Sequence, residues 1–368
     1  MIIQSIELNN FRNYENLQIS FDEGTNILFG DNAQGKTNIL EAAYLSGTTK
    51  SHKGSKDKEM IRFGTNEAHL RTMVLKNGKQ YQIDMHLKHN RSKGIAVNKI
   101  PMKKASELFG ILNIVFFSPE DLNIIKNGPS ERRHFLDAEL CQLDKIYLSD
   151  LSNYNKILNQ RNKLLKDMVY RPELSDTLPV WDMQLADTGK KIIRRREQFV
   201  KELNEIVHEI HYRISGGREE LFLSYEPSVS ADLLEQELER VKPRDLKQCQ
   251  TSVGPHRDDL LFSIADVDIR KFGSQGQQRT SALSLKLSEI ELVRKSIHDT
   301  PVLLLDDVLS ELDSNRQNYL LNSICDTQTI ITCTGLDEFI RNRFEINKVF
   351  EVISGQVFEK GQVIERQG

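Results

Sequence analysis

A short glycine-containing segment early in the chain constrains the fold more than any other feature. Residues 30–37 read Gly-Asp-Asn-Ala-Gln-Gly-Lys-Thr and match the phosphate-binding loop pattern G-x-x-x-x-G-K-[ST] at every fixed position. Residues 25–29 before it form an apolar run of strand-forming residues, and residues 38–45 after it carry apolar side chains at helical spacing. The strand and helix that such a loop requires are therefore both indicated, which favours a nucleotide-binding α/β fold over a chance glycine turn.

Each position of the loop has a role in phosphate binding. Gly30 and Gly35 permit backbone conformations that a side chain would forbid, so that successive N–H groups can face a phosphate. We expect the Lys36 ammonium to reach the β- and γ-phosphates of a nucleotide and the Thr37 hydroxyl to bind Mg²⁺. The helix that begins near Lys36 adds its positive dipole end. The other loop residues expected to contact the nucleotide are Asp31, Asn32, Ala33 and Gln34.

A second apolar run ends in two acidic residues late in the chain. Residues 301–307 read Pro-Val-Leu-Leu-Leu-Asp-Asp, the Walker B form, in which a buried strand delivers a carboxylate to Mg²⁺. Asp306 is therefore predicted to hold the metal, although a core strand can also end in aspartate without such a role. Asp306 lies 270 residues beyond Lys36, so a long insertion must divide the nucleotide-binding fold. This separation disfavours small GTPases and nucleoside kinases, whose nucleotide cores are contiguous.

The remaining chain alternates between strand-like and helix-like patterns. Runs at 68–75, 81–87 and 94–100 alternate apolar and polar residues, and Asn77-Gly78 between the first two is a strong hairpin signal. Long helix-forming stretches begin near residue 127, with a break near residues 170–173. We predict a nucleotide-binding domain whose first part, with the phosphate loop and an antiparallel meander, spans residues 1–126. A helical insertion then covers residues 127–243, and the second part of the nucleotide-binding domain covers residues 244–368.

Composition limits the setting and the partners of this 368-residue chain. Its net charge is −3, so a nucleic-acid surface must be a local basic patch. Its cysteines lie far apart without a C-x-x-C pair, which argues against a zinc site or a disulfide framework. The N-terminus lacks a signal-peptide pattern and no apolar run is long enough to span a bilayer, so we expect a cytoplasmic protein without a membrane partner. The cysteines are Cys141, Cys249, Cys325 and Cys333.

A third motif lies between the two nucleotide-binding segments. Residues 272–280 read Phe-Gly-Ser-Gln-Gly-Gln-Gln-Arg-Thr, ahead of a long predicted helix. This segment resembles the signature motif of the ABC-type ATPases, in the variant carried by the RecF family of DNA repair proteins. Further segments resemble that family in the same order along the chain: residues 9–14, 51–53, 117–122, 132–137, 254–259 and 310–313. The resemblance implies an ABC-type ATPase head, related to that of SMC proteins, with an inserted helical domain.

The resemblance also implies how the nucleotide is used. In ABC-type ATPases, ATP lies between the phosphate loop of one protomer and the signature of another, so Ser274 and Gly276 would contact the γ-phosphate across a homodimer interface. A helix cap is the alternative role for Ser274. Arg12, in the first family segment, is expected to contribute to the nucleotide site. Asp307 stands where many relatives carry a catalytic glutamate, and its shorter side chain fits a slow ATPase used as a switch. The residues expected to act in hydrolysis are Lys36, Asp306, Asp307 and Ser274.

Two features of the ABC-type pattern are not found in this sequence. Residues 330–335 offer threonines where many ABC-type ATPases carry a switch histidine, and residues 117–120 contain no glutamine for a glutamine loop. Both departures bear on the rate of hydrolysis and leave the prediction of nucleotide binding intact.

Partner predictions follow from the resemblance alone. It implies an ATP-dependent dimer that clamps double-stranded DNA at gaps and single-strand/double-strand junctions. It also implies that the protein acts with RecR to help load RecA in recombinational repair and replication restart. An ATPase subunit of a membrane transporter and a structural DNA protein of the SMC kind are the alternatives. An SMC protein would carry far longer coiled-coil arms than residues 127–216 can supply.

Two groups of basic residues are candidates for contact with DNA phosphates. The first lies in the hydrophilic loop after the phosphate-loop helix, and the second lies on one predicted helix, beside Arg196. For both groups the alternative is a solvated surface without a DNA-binding role. The candidates are Lys50, Lys53 and Lys56 in the loop, and Lys190, Lys191, Arg194 and Arg195 on the helix.

Overall fold

The computed structural model describes residues 1–324, 326–336 and 345–360, so Cys325 lies outside the described residues. The strands are β1 (Ile2–Phe11), β2 (Tyr14–Ser20), β3 (Thr25–Phe29), β4 (Glu67–Lys76), β5 (Lys79–Lys88), β6 (Arg91–Val97), β7 (Ile100–Pro101), β8 (Ile114–Phe117), β9 (Leu221–Glu226), β10 (Asp259–Ile264), β11 (Val267–Asp268), β12 (Val302–Asp306), β13 (Thr329–Cys333), β14 (Lys348–Ile353) and β15 (Gln356–Lys360). The α-helices are α1 (Lys36–Thr48), α2 (Leu122–Lys126), α3 (Pro129–Leu143), α4 (Lys145–Asp167), α5 (Leu178–Ile214), α6 (Leu234–Gln248), α7 (Ile269–Phe272), α8 (Gln275–Ile297) and α9 (Ser314–Ser323).

The described residues fall into two compact units. The first combines Met1–Asp121 with the described part of Glu289–Gly368, and the second is Leu122–Ser288. The first unit boundary lies close to the predicted start of the insertion at residue 127. The second falls inside α8, well beyond the predicted end at residue 243. The assignment of domains at 1–126, 127–243 and 244–368 stays a prediction.

A mostly parallel sheet in the first unit combines strands from the N-terminal and C-terminal parts of the sequence. Its order is β15-β14-β3-β13-β12-β8, and every neighbouring pair is parallel except β14 with β15. Every residue of β13 and the first four of β12 are buried, as is usual for parallel strands covered on both faces. Because β3, β12 and β13 run in the same direction, their carboxyl ends lie at one edge of the sheet. Gly30, Asp306 and Thr332 are brought to that edge.

The other sheet of the first unit is an antiparallel meander with the order β2-β1-β4-β5-β6-β7. Burial alternates along β4, where Ala68, Leu70, Thr72 and Val74 are buried between exposed neighbours. The hairpin predicted at Asn77-Gly78 is confirmed: Lys76 pairs with Lys79, and both turn residues have positive φ, 50° and 70°. The buried face of this sheet and α1 contribute to one apolar core.

The second unit is mainly helical and is built around α5. The buried residues of this 37-residue helix recur every three or four positions, as in Phe199, Leu203 and Ile206, which gives it a continuous apolar stripe. The helix packs against α4, α6 and β9. The break predicted near residues 170–173 is confirmed, because α4 ends at Asp167 and a 3₁₀ helix, Pro172–Thr177, precedes α5. Among the described residues, no helix has the length and apolar character to cross a membrane.

Three arginine side chains lie almost fully inside the second unit and are paired with carboxylates there. Such groups are stable in the interior only when their charge and their hydrogen-bonding capacity are both satisfied. The segments at 132–137 and 254–259, noted above for their family resemblance, supply several of the partners. The pairs are Arg132 with Asp259, Arg161 with Asp182 and Asp245, and Arg196 with Asp137 and Asp258.

Asp258 contacts several elements of the second unit. Its Oδ1 accepts a hydrogen bond from the Ser228 backbone N–H at 2.8 Å, and its Oδ2 accepts from Tyr225 and lies 3.3 Å from Arg196 Nη1. Arg196 also donates to the Pro255 carbonyl oxygen at 2.7 Å. This network ties α5 to β9 and to the turn before β10.

We expect Asp258→Ala to lower the free energy of unfolding by about 3 kcal/mol, because it leaves buried donors of Arg196 and Tyr225 without their acceptor. Chemical denaturation measures the loss. The matched control is Asp232→Ala, which removes a carboxylate that pairs with Arg194 at the surface, where both side chains are largely exposed. That change should cost at most about 1 kcal/mol. Equal losses in the two variants would contradict the structural role of Asp258.

Candidate nucleotide site

The phosphate loop lies between β3 and α1 at the carboxyl edge of the parallel sheet. Gly30 has φ 145° and Gly35 has φ 116°, both in the region that favours glycine. A Cβ on Gly30 would lie 2.4 Å from the Val352 carbonyl oxygen, and one on Gly35 would lie 2.4 Å from Asn13 Nδ2. Both glycines are therefore required by backbone conformation and by space.

Neighbouring turns hold the loop in place. Asn13 Nδ2 donates to the Gln34 carbonyl oxygen at 3.0 Å, and the Tyr14 hydroxyl donates to the Gly35 carbonyl oxygen at 3.1 Å. The Ser354 backbone N–H donates to Gln34 Oε1 at 2.5 Å. The β1–β2 and β14–β15 turns thus fix the shape of the loop from two directions.

Lys36 lies at the first position of α1 and is largely buried. Its ammonium donates to the carbonyl oxygens of Gly30 at 2.6 Å and Asp31 at 2.7 Å. Burial lowers the pKa of Lys36, and the Asp307 carboxylate opposes that shift. The ammonium is thereby held inside the arch of the loop, where it can contact a phosphate.

Thr37 and Asp306 meet although they are 269 residues apart in the chain. The Thr37 hydroxyl donates to Asp306 Oδ1 at 2.8 Å, and the Thr332 hydroxyl donates to the same oxygen at 2.7 Å. A hydroxyl and a carboxylate oxygen side by side, next to a phosphate loop, form a donor set that suits Mg²⁺, which prefers oxygen ligands. The residues present therefore fit the predicted metal.

Asp307 follows the end of β12 in an uncommon backbone conformation, with φ 54°. Its N–H lies 3.2 Å from the Thr332 carbonyl oxygen and 3.1 Å from the Thr332 hydroxyl oxygen, which hold this conformation. Burial and then the Asp306 carboxylate raise the pKa of Asp307. A carboxylate whose basicity is raised in this way is better suited to accept a proton from water.

A cavity of about 290 Å³ lies over the loop. Lys53, one of the predicted DNA contacts, is part of its wall. The Lys53 backbone N–H donates to Ser51 Oγ at 3.1 Å, and Ser51 Oγ donates to Glu41 Oε1 on α1 at 2.5 Å, so the loop after α1 is fastened beside the cavity. The lining residues are Asn32, Ala33, Gln34, Gly35, Lys36, Thr37, Asn38, Lys53, Asp306, Asp307 and Thr332.

Arg12 does not line this cavity. Its guanidinium forms a bidentate pair with buried Glu41, at 2.6 Å through Nε and 2.7 Å through Nη2, and it also donates to Ser55 Oγ and the Glu59 carbonyl oxygen at 2.8 Å each. In this conformation Arg12 joins the β1–β2 turn to α1 and to the loop that carries Lys53. Its direct contact with a nucleotide stays a prediction.

The signature segment lies in the second unit at the start of α8. Ser274 Oγ accepts from the Gln277 N–H at 3.2 Å, and the Ser274 N–H donates to Gln277 Oε1 at 2.9 Å. This reciprocal pair is a capping box, so the helix-cap role considered for Ser274 is present. Ser274 is also exposed and Gly276 is partly exposed. A contact between these residues and a nucleotide held by a second copy stays a prediction.

The basic residues predicted on α5 are mostly paired with acids. Three of the four form ion pairs, which neutralise part of the positive charge on this face of the helix. The fourth, Lys191, is exposed. These pairs favour the solvated helix face over a dedicated DNA surface. In the other group, Lys50 and Lys56 are exposed. The ion pairs of these three residues are Lys190 with Glu235, Arg194 with Asp232, and Arg195 with Asp144 and Glu202.

Sequence reasoning missed the roles of Thr332 and Glu41. Thr332 pairs in register with Asp306 across the neighbouring parallel strands, so the hydroxyl stands beside the carboxylate. A polar residue near the end of the apolar run 329–333 was the available signal. Glu41 is an acidic residue on the apolar face of α1, and its complete burial required an ion-pair partner.

We expect Lys53→Ala to weaken ATP binding by about tenfold, because it removes an ammonium from the wall of the phosphate cavity. Lys56→Ala is the matched control, since Lys56 belongs to the same loop but does not line the cavity, and its affinity for ATP should be unchanged. Titration of each variant with a fluorescent ATP analogue measures both values. Unchanged ATP affinity in Lys53→Ala would contradict a role of this lysine in nucleotide binding.

Comparisons with known proteins agree with this architecture. The family model described as the RecF/RecN/SMC N terminal domain matches residues 2–356. The DNA replication and repair protein RecF of Agathobacter rectalis is 74% identical over 357 residues, which cover 97% of this chain and 99% of the relative. The protein of the same description from Lachnospira eligens is 63% identical over 359 residues, which cover 97% and 99%.

A solved structure shares the fold over nearly the whole chain. It is described as the recombination mediator protein RecF-ATP in the RecFOR pathway, and it matches with a TM-score of 0.91 and 37% identity over 98% of this chain and 97% of the other. The predicted fold class, an ABC-type ATPase head with an antiparallel meander and an inserted helical region, is confirmed. The chain therefore belongs to the RecF/RecN/SMC family and, within it, to the RecF proteins of DNA replication and repair.

Proposed function

We propose that the protein is an ATP-dependent DNA-binding ATPase of recombinational repair and replication restart. The observation that carries the proposal is the convergence of Lys36, Thr37, Asp306 and Asp307 on one cavity at the edge of the parallel sheet. The solved RecF relative described with ATP in the RecFOR pathway supports both the nucleotide and the pathway.

Each residue of the site has a role in the proposed reaction. The Lys36 ammonium and the loop N–H groups bind the β- and γ-phosphates, and Thr37 and Asp306 would hold Mg²⁺. When bound, Mg²⁺ neutralises phosphate charge during phosphoryl transfer. Asp307 orients the attacking water and accepts its proton. An aspartate reaches less far than a glutamate, so we propose weak, DNA-stimulated turnover that serves as a switch.

ATP is proposed to control dimerisation. The nucleotide held by Lys36 and Thr37 completes a surface that Ser274 and Gly276 of a second copy recognise. A ligand shifts an equilibrium only by its differential affinity for the two states. ATP meets this condition because it contacts two chains in the dimer and one in the monomer, so hydrolysis releases the dimer.

The dimer is proposed to clamp double-stranded DNA at gaps and junctions and, with RecR, to help load RecA. Lys50, Lys53 and Lys56, which are all exposed, are the candidates for phosphate contact, and the mostly ion-paired residues on α5 are secondary candidates. Contacts to phosphates bind without regard to sequence and weaken as salt rises, because counterions are released from DNA on binding.

Sedimentation velocity with and without ATP and duplex DNA tests this proposal. The wild type is expected to dimerise only with ATP and to co-sediment with DNA as the dimer. Lys36→Ala should neither dimerise nor co-sediment with DNA, because it no longer binds ATP. Ser274→Arg should bind ATP and remain a monomer, because the added side chain blocks the signature surface.

The matched control is Ser175→Arg, which places the same side chain at an exposed serine in the 3₁₀ helix of the second unit. This variant should behave as the wild type. Normal ATP-dependent dimers of both Lys36→Ala and Ser274→Arg would refute the shared site.

A further inference from the structure

A series of side-chain hydrogen bonds within the second unit positions the exposed Ser274 of the signature. The Gln277 side chain uses both ends of its amide: Oε1 accepts from the Ser274 N–H at 2.9 Å, and Nε2 donates to Glu219 Oε1 at 3.0 Å. Gln277 thus joins the first residues of the signature to Glu219, which lies in the loop between α5 and β9.

Glu219 is itself held on several sides. Its backbone N–H donates to Ser215 Oγ at 3.1 Å, and its carbonyl oxygen accepts from the same hydroxyl at 3.3 Å. Its second carboxylate oxygen lies 3.5 Å from Nε2 of His211, a buried residue near the end of α5. The other ring nitrogen of His211 lies 3.0 Å from Ser284 Oγ on α8. The carboxylate is therefore held in a fixed place relative to α8.

An amide side chain can be turned over without a change in shape, and its surroundings decide which end is the acceptor. The carboxylate oxygens of Glu219 accept hydrogen bonds, so Glu219 requires the NH₂ group of Gln277 on its side. That orientation leaves Oε1 facing the Ser274 N–H, which can only donate. Turned over, the amide would set oxygen against carboxylate and NH₂ against N–H, and the capping box would lose one of its two hydrogen bonds.

We propose that Glu219 is a positioning residue for the signature. By fixing the orientation of the Gln277 amide, it fixes the backbone and hydroxyl of Ser274, which face the nucleotide of a second copy. This inference rests on the proposed ATP-dependent dimer. It assigns the geometry of the signature to an acidic residue that lies 55 positions before Ser274 in the sequence.

Substitutions at position 219 test the inference through dimerisation. Glu219→Lys presents a donor, which should turn the Gln277 amide over and weaken the ATP-dependent dimer by about tenfold or more, and Glu219→Ala removes the acceptor with a smaller loss. Glu219→Gln keeps an acceptor and should restore most of the affinity between the two copies. The affinity of the monomer for ATP, measured by titration with a fluorescent analogue, should stay unchanged in all three variants.

Glu220→Lys is the matched control, because Glu220 is an exposed neighbour with the same charge. Its dimer should be as stable as that of the wild type, measured by sedimentation equilibrium with ATP. Wild-type dimerisation that persists undiminished in Glu219→Lys would overturn the role of Glu219 and leave the proposed function standing. Equal weakening in Glu219→Lys and Glu220→Lys would also overturn it, because charge alone would then explain the effect. A wild type that never dimerises with ATP would refute the proposed function itself.

Discussion

The pair of hydrogen bonds accepted by Asp306 Oδ1 is the contact on which the nucleotide site depends. Thr37 comes from the start of α1, Asp306 from the end of β12 and Thr332 from β13, and the three side chains meet around one oxygen. They meet because the sheet places β3, β13 and β12 side by side in the same direction. The long insertion is therefore compatible with the site, because strand pairing in the sheet brings together residues that are far apart in the sequence.

The second unit has to meet a different physical requirement. It exposes the signature at the surface and must still hold its first residues in a defined geometry. Buried arginine–carboxylate pairs fix the surrounding helices and strands, and removal of one partner from such a pair is costly. Close to the surface, Glu219 and Gln277 form a separate series of polar contacts that ends at Ser274. A buried charge without a partner would be unstable, so the arginine–carboxylate pairs favour one arrangement of the second unit.

Local patterns predicted much of the fold because their determinants are local. The phosphate loop, the Asn77-Gly78 hairpin and the strand ending at Asp306 each depend on a few consecutive residues. Thr332 was not recognised because its neighbour is set by pairing between two strands. Sequence spacing also does not show that Ser51 and Glu41 fasten the loop of Lys53, a predicted DNA contact, beside the cavity. The sequence also does not show that Lys190 and Arg194 on α5 pair with acidic residues 45 and 38 positions away.

Mixing two variants that are each inactive tests the shared site most directly. A dimer of one Lys36→Ala chain and one Ser274→Arg chain contains one site with both defects and one site with neither. The account predicts that the mixture regains ATPase activity above the sum of the two variants measured separately. Activity of the mixture equal to that sum would contradict a nucleotide site built from two copies of the chain.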